Sequence, residues 1–428
     1  MSPTAHPQPR TSGTTDVIVV GAGQSGLAAS HCLAERRIAH VVLERGEVAN
    51  TWRHERWDSL RLLTPNWQCR LPGYAYDGDD PNGFMDMAEV VRFIEGYALE
   101  SAAPVQAHTT VESVEPVESG YRVRTQRGTW YARAVILASG AFNRPNIPRV
   151  ASDLPDSIAQ FTPHSYHHPG QLPEGGVLVV GGSATGLQLA DELLDAGHPV
   201  TIATGEHVRM PRHYRGRDIL EWMHLTGLLS ERWDEVEDLH RARHLPSSQL
   251  VGSHEQSILD LNHLTGKGAR LVGRLMGVRP DSVAQFSGSL ANVCELADLK
   301  MNRLLAGIDE WIDDQGLLCE VGECFDATRV DERPALTLDL EGQAIRSVIW
   351  ATGFRPDYHW LKADVLDRKG QLRHEGGVVD APGLYALGLP FMRRRKSSFM
   401  FGTTDDARDI TDHLAGYLAA SPRLRCCA

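Results

Sequence analysis

The chain has little of what would tie it to disulfides, membranes, nucleic acid or metal. Its seven cysteines, Cys32, Cys69, Cys294, Cys319, Cys324, Cys426 and Cys427, include no C-x-x-C pair. An odd set without that spacing argues against a disulfide framework and for a reducing cytoplasm. Basic residues are in deficit, 43 against 55 acidic, and the net charge of -12 repels nucleic acid and anionic lipid. Residues 1–14 contain no apolar core, so they read as an unstructured tail rather than a signal peptide or membrane anchor. His164, His167 and His168 cluster, but no Cys or carboxylate stands at ligand spacing, so no metal is expected. The expected partner is a small molecule, and a homodimer is left open.

What the chain does have is one pattern written twice. Residues 16–46 run apolar strand, Gly21-Ala22-Gly23-Gln24-Ser25-Gly26, amphipathic helix and a second strand ending at Glu44. In a dinucleotide-binding fold the first glycine permits the tight turn, the second lets backbone approach a pyrophosphate, and the third lets helix and strand pack. The helix N-terminus then faces the phosphates, and the strand-end acid accepts from ribose hydroxyls. Residues 177–205 repeat the pattern without a gap, with Gly181, Ser183 and Gly186 at the glycine positions and Ala184 and Thr185 opening the helix. Thr204 falls where Glu44 sits, which removes a carboxylate that would repel a 2′-phosphate. Arg209, Arg212, Arg215 and Arg217 follow and suit a phosphate. The first site is therefore expected to hold FAD and the second NADPH, although Glu206 keeps NADH open.

A second echo pairs Ala138-Ser139-Gly140 with Ala351-Thr352-Gly353, each closing a buried-strand run. Alternating stretches at 111–114, 121–125 and 129–132 predict an antiparallel meander. The predicted class is α/β, with two Rossmann-like dinucleotide-binding domains in a glutathione-reductase-like arrangement. Residues 15–172 and 325–428 form the FAD domain, and 173–324 form an inserted NADPH domain. Within it 216–313 is read as mainly helical, with Leu220, Trp222, Leu225, Leu228, Leu229, Leu299, Leu304, Leu305, Ile308 and Ile312 as core. The joint at 163–173 is a hinge candidate.

With the two glycine turns, Thr51-Trp52 and Ala351-Thr352-Gly353, the chain resembles the class B flavin monooxygenases over about 15–420. WDSLRLLTPNWQCRLPG and MPRHYRGRDI bring it nearest to bacterial flavoproteins loosely linked to potassium transport, related to YUCCA-type and N- or S-oxygenating enzymes. The resemblance implies that NADPH reduces FAD and that O2 then forms a C4a-(hydro)peroxyflavin that oxygenates a small organic substrate. It implies FAD contacts from Gln24, Ser25, Glu44, Arg45, Thr51, Trp52, Val111, Ala138, Gly140, Gly388 and Thr403. From the residues, NADPH contacts are expected at Thr204, Arg209 and Arg212; the resemblance adds cofactor contacts at Ala351, Thr352 and Gly353, and contacts with the flavin ring or the nicotinamide amide at Thr64 and Asn66. One departure stands out. The family's linker signature, Phe-x-Gly-x-x-x-His-x-x-x-aromatic, is intact in neither register across SIAQFTPHSYHHPG. A disulfide reductase shares the two-fold plan, and Cys319-x-x-x-x-Cys324 has a redox spacing, but it lies far from the first helix and is read as structural.

Overall fold

The computed structural model describes residues 12–253 and 258–421. Cys426, Cys427 and residues 1–11 of the predicted tail lie outside the described residues. In chain order the elements that position the site are β1 (Gly13–Val20), α1 (Gln24–Glu35), β2 (His40–Leu43), α2 (Met87–Glu100), β3 (Val105–Gln106), β4 (Val111–Val117), β5 (Gly120–Thr125) and β6 (Gly128–Leu137). They are followed by β7 (Ala159–Phe161), β8 (Gly176–Val180), α3 (Ala184–Asp195), β9 (Val200–Thr204), β10 (Arg270–Gly273), α4 (Leu290–Gln315), β11 (Ile345–Trp350), β12 (Leu384–Ala386) and α5 (Met400–Ala420).

The apolar runs become the central strands of two sheets because only a strand covered on both faces can bury every residue of such a run. In the first sheet β12, β6, β1, β2 and β3 lie side by side and parallel. Val17, Ile18 and Val19 are fully buried, with α1 packed on β1 and α5 packed on α1 and β6. The antiparallel β4–β5–β6 meander stands beside it, as the alternation predicts. β1 begins at Gly13, paired with Trp130, so residues 13 and 14 belong to the sheet rather than to a tail.

The second sheet has the order β7-β11-β8-β9-β10, all parallel. It moves the expected boundaries. Ile345–Trp350, placed by sequence in the 325–428 part of the first domain, pairs with β8, and Ala159–Phe161, placed in 15–172, pairs with β11. The reason is that a strand, helix and strand expose the free edge of β8 until a later strand covers it, and β11 is that strand. The chain passes between the sheets at two crossings lying against each other, Arg144–Pro145 antiparallel to Phe354–Arg355. Residues 216–313 are not mainly helical: β10 and two further strands, Leu275–Val278 and Val283–Phe286, interrupt the helices. Of the expected core there, Leu225 and Leu299 are exposed and the rest are buried or partly buried.

Candidate dinucleotide site

Both glycine turns take the shape their spacing requires. Gly21 and Gly181 have φ of 108° and 125°, a left-handed backbone that side chains disfavour. Beside Gly21 runs the Ala138 carbonyl, and beside Gly181 the Ala351 carbonyl, so the two echoes play the same part in the two sheets. A methyl group on Gly26 would collide with the Gly21 carbonyl, and one on Gly186 with the Gly181 carbonyl. Gly23 is different. A methyl group there meets nothing within 4 Å, because the space in front of it is open. Helices α1 and α3 both start without a side-chain cap and without an acid in the first turn. Their first N–H groups are left for an anion, and such a cradle fits a pyrophosphate.

One cavity of about 1590 Å³ joins the two turns. That exceeds the ~300–1,000 Å³ usual for one small ligand, so it has room for more than one. At the first turn it is lined by Gly21, Gly23, Gln24, Ser25, Glu44, Arg45, Thr51 and Trp52, with Val111, Ala138, Gly140 and Gly388. At the second it is lined by Gly181, Ser183, Ala184 and Thr185, with Ala351, Thr352 and Gly353. Glu44 is fixed by accepting the Ala22 amide at 2.7 Å and the Gly46 amide at 3.0 Å. Trp52 donates its indole N–H to Gln24 at 3.3 Å, and the Arg56 guanidinium lies over its ring at 5.4 Å. Burial pushes the Arg56 pKa down to about 10 against the pull of Glu55.

A family model described as pyridine nucleotide-disulphide oxidoreductase matches residues 18–224. An uncharacterized oxidoreductase CzcO-like of Geobacillus kaustophilus is 30% identical over 405 residues, 93% of this chain and 99% of that protein. The indole-3-pyruvate monooxygenase YUCCA1 of Oryza sativa subsp. japonica is 31% identical over 416 residues, 92% of this chain and 89% of that protein. The chain belongs to the CzcO-like, class B flavin-monooxygenase-like oxidoreductases. A flavin-containing monooxygenase from Stenotrophomonas maltophilia shares the fold, with a TM-score of 0.66 at 21% identity over 95% of this chain and 99% of that one. This is an FAD- and NAD(P)-dependent oxidoreductase.

Within this oxidoreductase several expected contacts are spent on structure. Asn66 is buried away from the cavity lining: its amide nitrogen donates to the Asp80 carbonyl at 2.9 Å and its oxygen accepts the Met85 amide at 3.0 Å. It ties the 80–85 loop down, whereas Thr64 does line the cavity. Arg212 is 1% exposed, paired with Asp218 and set over the Phe84 ring at 5.0 Å. Arg209 borders the cavity but is held by Asp260 and Asp298, and Arg215 and Arg217 are paired with Asp309 and Glu221. Burial works against the Arg209 charge, yet the hydrogen bonds it donates to Asp298 and Asp260 win and raise its pKa. Thr204 is wholly buried under Gly182, and Thr403 is buried inside α5. The altered linker is built in: Gln160 accepts from the Trp350 indole at 3.0 Å, and Tyr166 donates to Glu192 at 2.7 Å.

Sequence reasoning missed a third part of the cavity. Met223, Leu228, Leu229, Met301, Leu304 and Phe399 form an apolar wall continuous with both turns. Gln249, on the strand-like run beside Val208, donates to the Gly182 carbonyl at 2.6 Å and fixes the 242–250 segment over the second turn. The leucines were visible as an apolar pattern, but no periodicity tells a cavity-facing leucine from a core one.

Proposed function

We propose that the chain is an NADPH- and O2-using flavin monooxygenase that oxygenates a small organic molecule. The observation that carries the reading is the continuity of the cavity: both phosphate cradles open into it together with an apolar chamber. FAD, when bound, supplies hydride acceptance and oxygen chemistry. The residues of the chain supply the rest. The N–H groups of α1 and α3 would hold the diphosphates, and Glu44, at the cavity surface, would accept from the adenosine ribose of FAD. Leu228, Leu229, Met301 and Phe399, the apolar part of the cavity lining, would keep water from the reacting flavin, which matters because a wet site releases hydrogen peroxide instead of product.

A disulfide reductase would need a dithiol against the flavin. Among the described residues no cysteine lines the cavity, and Cys319 and Cys324 are free. The supporting experiment is NADPH oxidation with simultaneous oxygen and peroxide electrodes across amines, sulfides, indoles and keto acids. Oxygen uptake matched by an oxygenated product supports the reading. Stoichiometric peroxide with every compound, in an enzyme that reduces its flavin normally, would replace it with an oxidase.

A further inference from the structure

The second βαβ unit loses the wall that the first one has. In the first, Glu44 reaches the Ala22 amide and lines the cavity. In the second, the equivalent Thr204 is sealed: a methyl group on Gly182 would sit 2.8 Å from its Cγ2 and Oγ1. Gly205 then follows with no side chain. Because β9 and β10 run parallel with Thr204 opposite Gly273, the next two residues, Gly205 and Arg274, leave the sheet side by side. The Arg274 stem lies along Gly205, since a methyl group there would meet its Cδ at 3.6 Å and its Cβ and Cγ at 3.7 Å. Both residues line the cavity.

Arg274 differs from the arginines of the 209–217 run in one respect. Each of those is paired with a carboxylate, whereas the exposed Arg274 makes no ion pair among the described residues. The acid nearest along the chain to Gly205, Glu206, is bound by Lys300 at 3.1 Å, and both also line the cavity. The adenosine ribose of a dinucleotide lies just past the end of the second strand of its βαβ unit, which here is the Gly205 position. A guanidinium stays charged at all working pH values and matches phosphate oxygens in a fork.

We propose that Arg274 reads the adenosine 2′-phosphate of NADPH, with Lys300 neutralising Glu206 beside it. The inference rests on the reading of the second turn as the nicotinamide dinucleotide site. It assigns selectivity to the third strand of the sheet rather than to the arginine run that follows the second.

The test is calorimetric titration of the full-length, flavin-loaded enzyme with NADP+, NAD+, 2′,5′-ADP and 5′-AMP. Arg274→Ala is expected to weaken NADP+ and 2′,5′-ADP by about ten- to hundredfold, the worth of one charge-assisted contact at an exposed site. NAD+ and 5′-AMP should bind as before, and Arg274→Lys should recover part of the loss. The salt dependence of NADP+ binding should flatten in the alanine variant as well. Equal weakening of NADP+ and NAD+, or no change in either, would overturn the assignment while leaving the second turn as a dinucleotide site. If the wild-type enzyme binds none of the four, the dinucleotide reading itself falls and takes this one with it.

Discussion

Arg209 donates to a single oxygen of Asp260 through two nitrogens, Nε at 3.1 Å and Nη2 at 2.6 Å, while its Nη1 reaches Asp298 at 2.7 Å. With Arg209 6% exposed and Asp260 6% exposed, this is a buried network joining the 207–212 run to α4. Removing one partner of such a network leaves uncompensated charge in the interior, which costs about 3–5 kcal/mol. Arg209→Ala is therefore expected to lower the thermal midpoint sharply and to weaken NADP+ and NAD+ together, if it folds. A variant with unchanged melting and a selective loss of NADP+ would return Arg209 to the phosphate.

Gly23 and Gly26 stand in one turn yet should fail in different ways. A side chain at Gly23 enters empty space in front of α1, so Gly23→Val should fold with the wild-type circular dichroism spectrum and yet purify without flavin. Gly26→Ala drives a methyl group into the Gly21 carbonyl, and the helix must shift off the strand. Core overpacking of this kind costs about 1–3 kcal/mol. Its expected signature is a lowered midpoint in protein stripped of flavin. Equal melting of the two stripped variants would contradict the distinction.

Asn66 holds backbone from two points of the 80–85 loop, so Asn66→Ala should cost about 1–3 kcal/mol of stability through the Met85 amide it leaves unpaired and the bond lost at the Asp80 carbonyl, which keeps only the Gly83 amide. The rate of flavin reduction should hardly change in the folded fraction. Thr64→Val, at the cavity surface, is expected to do the reverse, with little loss of stability and an altered peroxide yield. Stopped-flow reduction and thermal melts on the same preparations separate the two effects. A large change in reduction rate for Asn66→Ala at unchanged stability would mean that its side chain reaches the ring after all.

Both glycine turns were readable in the sequence because each residue there answers a local demand, such as the left-handed φ at Gly21 or the contact of Gly26 with the Gly21 carbonyl. The duplicated strand ends were readable too, since Ala138 and Ala351 abut the first glycine of their turns. What the pattern could not carry was pairing. Nothing local in the run Ile345–Trp350 says whether it joins the first or the second sheet, and that choice decided the domain boundaries. Charge was misread for the same reason at Arg209, which looks free in sequence because Asp260 and Asp298 lie 51 and 89 positions away, whereas the carboxylate that pairs with Arg212, Asp218, stands within the same short stretch and was passed over. Arg274 was hidden by reading 216–313 as helix, which concealed the strand that delivers it.

His374 and Asp406 should give the enzyme two opposed acid responses. Burial, helped by the Arg243 charge, pushes the His374 pKa from the ordinary 6.5 down to about 4. Its Nδ1 accepts the Gly377 amide at 3.1 Å, as a neutral ring can. Burial pushes Asp406 from 3.8 up to about 6, outweighing its bonds to Ser397 and Arg394. Between pH 6.5 and 4 the unfolded chain takes up a proton at His374 that the folded one refuses, so this group loses stability as the pH falls. Between pH 6 and 3.8 the folded chain keeps a proton at Asp406 that the unfolded one has lost, so this group gains stability as the pH falls. Each is worth at most about 3 kcal/mol, since a tenfold change in proton affinity is worth ~1.4 kcal/mol, and over the shared window they largely cancel. His374→Gln should therefore make the thermal midpoint rise, relative to wild type, as the pH is lowered from 6.5 to 4.5. Asp406→Asn, although less stable throughout for want of its 2.7 Å pair with Arg394, should show a steeper acid loss than wild type. Slopes of midpoint against pH with saturating flavin are the measurement, and two variants whose slopes run parallel to wild type would show that neither group titrates out of its ordinary range.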